Sequence, residues 1–470
     1  MDRREFLKYS LPIGLSPWVS PLLALTPAGR DMPIELAARA DTIQVVDDGG
    51  SRTRIWGYNG QVPGPTIRLK QKDWVRARLV NRLPVATTIH WHGIRIDNAM
   101  DGVSGLTQDA VDPGRSFDYA FQVPDAGTFW YHAHTRSWEQ VARGLYGVLV
   151  VDETEPVPVD RDYVFVIDDW QLDQDAQIHE ASFGSLHDWS HGGRLGQWIT
   201  VNGKPFEKFP VTRGQRIRLR VVNTANARVF TLNFGKLEPY VIAFDGQPAA
   251  PRPLGKFLTI APAQRVDLVF DMIDDAGGST PVEVMTRREV IQVAEFVSER
   301  AAGPRSNSVF QPFAELPANP LPTALQLADA KRVGLLMEGG AMGGMRSAML
   351  KGKQLSIQEL VSEGAVWAFN GTVGMSDAPL VSARRGQTVV IDIRNQNRWP
   401  HAMHLHGHHF KVIERDGRVV NDEIWRDTEL IQAGESASIG FVADNPGKWL
   451  FHCHMLEHQA GGMTTWLEII

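Results

Sequence analysis

The single cysteine of this 470-residue chain lies between two histidines, in Phe451-His452-Cys453-His454-Met455-Leu456-Glu457-His458, with Met463 five residues beyond. Thiolate, imidazole and thioether together form a soft-to-intermediate ligand set, the set that selects copper. Their spacing also fixes direction. If residues 449–454 are an extended strand, Cys453 faces one way while His452 and His454 face the other, about 6.6 Å apart at about 3.3 Å per residue. One segment can then serve two metal centres back to back.

Histidine usage carries the same signal. Of 15 histidines, eight form four separate His-x-His pairs, His90/His92, His132/His134, His404/His406 and His452/His454. Chance would give about half a pair over the whole chain. His401 precedes the third pair by three residues, and His458 follows the fourth by four.

The elements that must position these residues read as β-strands in three loosely repeated copies. Asn59-Gly60, Asn202-Gly203 and Asn370-Gly371 each precede an alternating strand that ends in asparagine: 74–81, 215–223 and 387–395. Alternation over such lengths marks half-buried strands. Nine residues after each terminal asparagine come His90-Trp-His-Gly93, Leu232-Asn-Phe-Gly235 and His404-Leu-His-Gly407. A second repeat joins 127–134 to 447–454. The ligand types are thus in the first and third copies, and the middle one reads as a spacer. Short strands punctuated by glycine and proline fit sandwiches rather than βαβ units. Five prolines in 303–325 mark a crossing linker.

Hydrophobic content of 43% and charged content of 22% are those of a globular protein. A net charge of −6 gives no reason to expect nucleic acid or an anionic membrane surface as partner. One cysteine cannot build a disulfide framework. Arg3-Arg4-Glu5-Phe6-Leu7-Lys8 followed by an uncharged stretch reads as a twin-arginine export signal, cleaved somewhere in 24–40 and implying the periplasm and the twin-arginine machinery. A membrane anchor is the competing reading, but Pro12, Pro17, Pro21 and Pro27 interrupt the stretch, so no stable insertion is expected.

From about residue 40 to 470 the chain resembles the multicopper oxidases, laccase-like enzymes of three cupredoxin domains. The resemblance rests on His90-Trp-His-Gly, His132-Ala-His, His401-Ala-Met-His-Leu-His-Gly and the run from His452 to Met463. It implies an all-β chain of three tandem cupredoxin-like Greek-key sandwiches. The expected division is 1–40 leader, 41–156 first domain, 157–302 second, 303–350 linker with a Met/Gly-rich loop, and 351–470 third.

The resemblance also implies four copper ions per chain. His401, Cys453 and His458 would hold a blue copper with Met463 axial. His90 and His404 would hold one ion of a trinuclear cluster; His92, His132 and His454 a second; His134, His406 and His452 a third. Dioxygen would be the acceptor. Phenols and aromatic amines are the leading reductants, and cuprous or other metal ions the alternative. A copper-free scaffold of the same fold is a third reading, and an electron-transfer or copper-storage protein a fourth. Asp101 matches an acid that assists oxygen reduction, though an aspartate before glycine also suits a turn. Where many bacterial relatives have an acid after the last blue-site histidine this chain has Gln459, leaving Glu457 as a substitute proton donor.

Other signals carry bland alternatives. Met337, Met342, Met345 and Met349 form a soft-ligand set for Cu(I) or a mobile, glycine-rich loop. His408 and His409 suit supporting positions or strand surface. His179, His187 and His191 read as surface loop or as a metal-loading site. Asp427 is expected beside the blue site as a substrate contact, or paired with Arg426 or Arg394.

Overall fold

A computed structural model describes residues 33–47, 49–299, 312–322 and 324–470. The twin-arginine segment and residues 303–311 and 323 of the crossing linker lie outside the described residues. Three β-sandwiches follow one another along the chain. The first pairs a sheet of order Thr53–Tyr58, Ile34–Ile43, Trp74–Asn81, Ser116–Gln122 with one of order Gly64–Lys70, Tyr146–Asp152, Gly127–Ala133, Ile89–His92. The second and third each pair a six-stranded with a five-stranded sheet. Each has a separate apolar core.

The threefold repeat read from sequence has a structural cause. Asn59, Asn202 and Asn370 have φ of 57°, 52° and 49°, and each following glycine is also left-handed. A turn with two successive positive φ values is what Asn-Gly accommodates without strain. Each side chain then accepts from the strand beside it, through the amides of Ala37, Val166 and Leu336 at 2.8, 2.9 and 2.7 Å. The strand-ending asparagines are corner posts. Asn81, Asn223 and Asn395 each donate Nδ2 to two or more carbonyls across the corner and accept the amide two residues on. In the middle copy, Leu232 and Phe234 replace histidines and enter that sandwich's core.

One boundary moves. Within the span read as linker, 303–350, strand Lys331–Gly339 runs parallel to Thr388–Asn395 in the third sandwich's six-stranded sheet. It repeats the parallel pairing of Ile34–Ile43 with Trp74–Asn81 and of Arg161–Trp170 with Arg216–Asn223. Leu335, Met337 and Gly339 alternate inward on this strand, a period-2 signal masked by the glycines that follow. The methionines therefore do not form one set: Met337 belongs to the core, Met349 to the hairpin strand Ser347–Leu350, and Met342 is exposed.

The first and third sandwiches meet directly. Gly447 has φ +135°, and a Cβ there would stand 2.5 Å from Asn98, whose Nδ2 donates to the Lys448 carbonyl at 2.7 Å. Its counterpart Gly127 likewise admits the backbone of Gly246 in the second sandwich.

Candidate metal centre

Strand Gly447–Cys453 pairs with His401–Leu405, placing His452 opposite His404 and Cys453 opposite Met403. In the first sandwich, Ile89–His92 pairs with Gly127–Ala133, placing His90 opposite His132. Apposition of the two sheets brings eight histidines into one buried chamber. The alternation expected around Cys453 is present. Its sulfur is grouped with His401 and His458, whereas His452 is grouped with His134 and His406 on the other side.

Hydrogen bonds fix which nitrogen of each ring is bare. His401 Nε2–H donates to Asn397 Oδ1 at 2.9 Å, and His458 Nε2–H donates to the His191 carbonyl at 2.7 Å. Their Nδ1 atoms, left as lone pairs, face each other at 3.0 Å, with Cys453 Sγ 3.6 and 3.8 Å away. Two lone pairs can share only the one thiol proton of Cys453, so one is left unsatisfied and they repel each other unless a cation lies between. Met463 is buried in the same core; its carbonyl accepts from the Cys453 amide, and its own amide donates to the His458 carbonyl.

The larger chamber repeats this. His406 Nδ1 is held by Asp101 at 3.0 Å and His452 Nδ1 by the Cys453 carbonyl at 2.9 Å, so their Nε2 atoms face each other bare at 3.1 Å. His132 Nδ1 donates to the Ala133 carbonyl, and its Nε2 lies 3.4 Å from His454 Nε2. His90 and His404 donate Nδ1–H to the carbonyls of Asp101 and Asp427, leaving Nε2 of each buried without a partner among the described residues. His92 Nδ1, His134 Nε2 and His454 Nδ1 are also buried and unpartnered. Such orphaned acceptors are costly in a dry interior and are what metal ligation satisfies.

Electrostatics favours neutral ligands. Burial first, then neighbouring imidazoles, holds His132, His134, His406, His452 and His454 well below the ordinary histidine range. His458 is lowered to about 4 by burial. Burial pushes the Cys453 thiol up to about 12, so its thiolate needs a cation at hand.

The Asp101 carboxylate lies between His406 and His90, 3.0 and 3.2 Å from their Nδ1 atoms. Asp427 is not beside the blue site. The register of His401–Leu405 with Thr428–Ile431 sets His401 opposite Ile431 and His404 opposite Thr428, so Asp427 adjoins the far end. It lies 3.0 Å from His92 Nε2 and 3.3 Å from His404 Nδ1, and its partner is Arg265 at 2.6 Å, not Arg426 or Arg394. Burial disfavours its charge, but Arg265 and the two imidazoles outweigh that and hold it well below the carboxylate range.

Arg265 comes from the middle sandwich, which is therefore more than a spacer. Neither Arg265 nor Asp427 carries a motif; only a charged residue inside an apolar strand, as in Arg265-Val-Asp267-Leu-Val-Phe, could have flagged the former. His408 and His409 are buried beside the chamber but join no ligand group among the described residues. Glu457 accepts from Asn226 Nδ2 at 2.7 Å, and burial raises it to about 7. Gln459 accepts from Ser137 Oγ at 3.0 Å.

Comparison with known proteins agrees with this chemistry. Multicopper oxidase family profiles match residues 39–156, 161–279 and 351–469. The multicopper oxidase MmcO of Mycobacterium tuberculosis is 30% identical over 90% of this chain and 85% of its own length. A copper resistance protein A homolog of Pseudomonas syringae pv. tomato is 25% identical over 98% of both chains. The crystal structure of a multi-copper oxidase from Pseudomonas thermotolerans superposes with a TM-score of 0.81 at 32% identity, covering 93% of this chain and 99% of that one. Facing imidazole lone pairs in two buried chambers and three matched domains lead to one conclusion: this chain belongs to the multicopper oxidases, copper-dependent oxidoreductases with dioxygen as acceptor.

Proposed function

We propose that the chain takes electrons one at a time at a blue copper site and spends them on dioxygen at a trinuclear cluster, with four ions per chain. His401, Cys453 and His458 would hold the blue ion, with the buried Met463 as a weaker fourth ligand. His90 and His404 would hold one cluster ion, His92, His132 and His454 another, and His134, His406 and His452 the third. Copper supplies storage for the four electrons that complete reduction of dioxygen to two waters requires. The observation that carries this reading is the pair of bare nitrogen contacts, His401 to His458 at 3.0 Å and His406 to His452 at 3.1 Å.

The protein's own residues do the rest. Asp101 keeps the Nδ1 proton of His406 in place and so fixes which nitrogen is offered inward. Asp427 does the same around His92 and His404, and Arg265 keeps its carboxylate charged. Cys453 is covalently continuous with His452 and His454, which gives a through-bond route between the centres. We place Asp101 as a proton donor to the cluster. Glu457, tied to Asn226, is better suited to joining the second and third sandwiches.

Two donor classes are carried. Laccase-like resemblance supports phenols and aromatic amines. The covered edge of His458, whose Nε2 already meets the His191 carbonyl, favours a small metal-ion donor, cuprous ion first. The Arg3-Arg4 leader supports export in the folded state to the periplasm.

Metal analysis with an absorption spectrum and oxygen uptake tests the core of this reading. Four coppers, an intense visible band and dioxygen consumption are expected. Colourless, copper-loaded protein that consumes no dioxygen with any donor would overturn it.

A further inference from the structure

The outer nitrogens of both blue-site rings are taken. His401 Nε2–H donates to Asn397 Oδ1 at 2.9 Å, and His458 Nε2–H to the His191 carbonyl at 2.7 Å. Helix Leu186–Ser190 of the middle sandwich lies over the second of these, against helix Leu456–Ala460. A phenol arriving there meets protein before it meets either ring nitrogen. One further side chain touches both ligand rings. Trp367, fully buried, has its ring centroid 4.6 Å from that of His458 and 5.0 Å from that of His401.

From Trp367 a row of indoles leads outward. Trp367 Nε1 donates to the Trp189 carbonyl at 2.6 Å. The Trp189 ring meets Trp138 edge-on, with centroids 5.6 Å apart and planes at 71°. Trp138 and Trp189 are half-buried, so the row ends at the surface. Glycines make room for it: a Cβ at Gly340 would stand 2.0 Å from the Trp367 ring, and one at Gly364 3.1 Å from the Trp189 ring. Trp189 Nε1 is buried with no partner among the described residues, so ring packing rather than an indole hydrogen bond sets this side chain. At the outer end Phe183 stands 5.9 Å from the Trp138 ring. Arg136, 53% exposed and paired with Glu139, holds its guanidinium 5.3 Å from the same ring. Aromatic faces beside a cationic donor suit an electron-rich ring that carries a hydroxyl oxygen.

We propose that Trp138, Trp189 and Trp367 form the entry route for electrons from phenols: the donor stacks on the Trp138–Trp189 face, and its electron crosses the indoles to His458 and His401. This deepens the proposed function and rests on these two histidines being blue-site ligands. Each phenol gives one electron inward and its hydroxyl proton to solvent, leaving as a phenoxyl radical; four such electrons, four protons and one dioxygen give two waters. The tryptophans are bridges and are returned unchanged. The route is one ring contact, one hydrogen bond through the Trp189 main chain and a second ring contact.

The test follows bleaching of the visible band in copper-loaded holoenzyme mixed anaerobically with a dimethoxyphenol. Trp138→Leu is expected to slow bleaching at least tenfold, while the band and its reduction potential stay as in wild type. Trp138→Phe, which keeps a ring at the outer end, should stay within about threefold of wild type. Hexaammineruthenium(II), which has no ring to stack, should reduce all three proteins at equal rates. Calorimetry of the holoenzyme with trimethoxybenzene, a ring without a hydroxyl to oxidise, should show saturable binding to wild type and at least tenfold weaker binding to Trp138→Leu. Unchanged bleaching in Trp138→Leu, equal losses in the leucine and phenylalanine variants, or equal losses with both donors overturns the route. Should the leucine variant not fold, wild-type calorimetry decides, and absence of saturable binding overturns it. Absence of the visible band in wild type would instead sink the underlying reading of the blue centre.

Discussion

His401 and His458 present their Nδ1 atoms to each other 3.0 Å apart, each with its Nε2 proton given to an oxygen elsewhere. Among the described residues only the Cys453 sulfur, 3.6 and 3.8 Å away, meets these two nitrogens, completing the triangle. Cys453→Ser should therefore remove the intense visible band and the oxidase activity together. Absorbance near the thiolate-to-copper band and oxygen uptake check this; a variant that keeps the band contradicts the ligand role.

The Met463 backbone bonds to Cys453 and His458, and its side chain shares an apolar cluster with Cys453. Met463→Leu should preserve the fold and the colour while raising the reduction potential, since the weak axial ligand tunes it. Redox titration of the band gives the value. A colourless variant would contradict the axial assignment.

Asp101 fixes His406 from behind. Asp101→Asn is expected to lower the rate of dioxygen reduction by about 10–100-fold, the usual effect of removing a group that orients a metal ligand. Stopped-flow reoxidation of the reduced enzyme isolates that step. The blue band should remain, because Asp101 is on the cluster side.

Arg265 and Asp427 form a fully buried pair. Asp427→Ala removes the nearer of two carboxylates beside Arg265, Asp245 being 3.5 Å away, and should cost up to about 3–5 kcal/mol, together with copper lost from the chamber. Thermal unfolding and metal content measured in parallel separate the two effects. A variant with wild-type stability would show that the pair contributes little.

Asp168 accepts from Tyr146 Oη at 2.6 Å; burial, then Asp169, raises it to about 7. A carboxyl raised on folding gives stability that is fully present below its unfolded value of about 4 and is lost as pH rises towards 7. Between those limits the slope is at most about 1.4 kcal/mol per pH unit. Asp168→Asn should flatten that slope in denaturant unfolding measured across pH 4–7.

Much of the site was written in local spacing. His-x-His pairs on strands, and Cys453 between His452 and His454, define direction through the period-2 geometry of the backbone, which does not depend on distant partners. The Asn-Gly turns and strand-ending asparagines were legible for the same reason. Contacts across domains were not. Asp427 reaches Arg265 over 162 residues, and His458 reaches His191 over 267. Nothing local to Asp427 tells that strand register sets it beside His404, away from the blue site. Strand Lys331–Gly339 was hidden by glycines whose turn begins only where its alternation ends.

The Arg265–Asp427–His92 chain of contacts draws one residue from each sandwich. No single sandwich, nor the first and third alone, can assemble the eight-histidine chamber complete with its supports, whereas His401, Cys453 and His458 all belong to the third sandwich. The two centres thus differ in how much of the polypeptide must be docked before their side chains are in place.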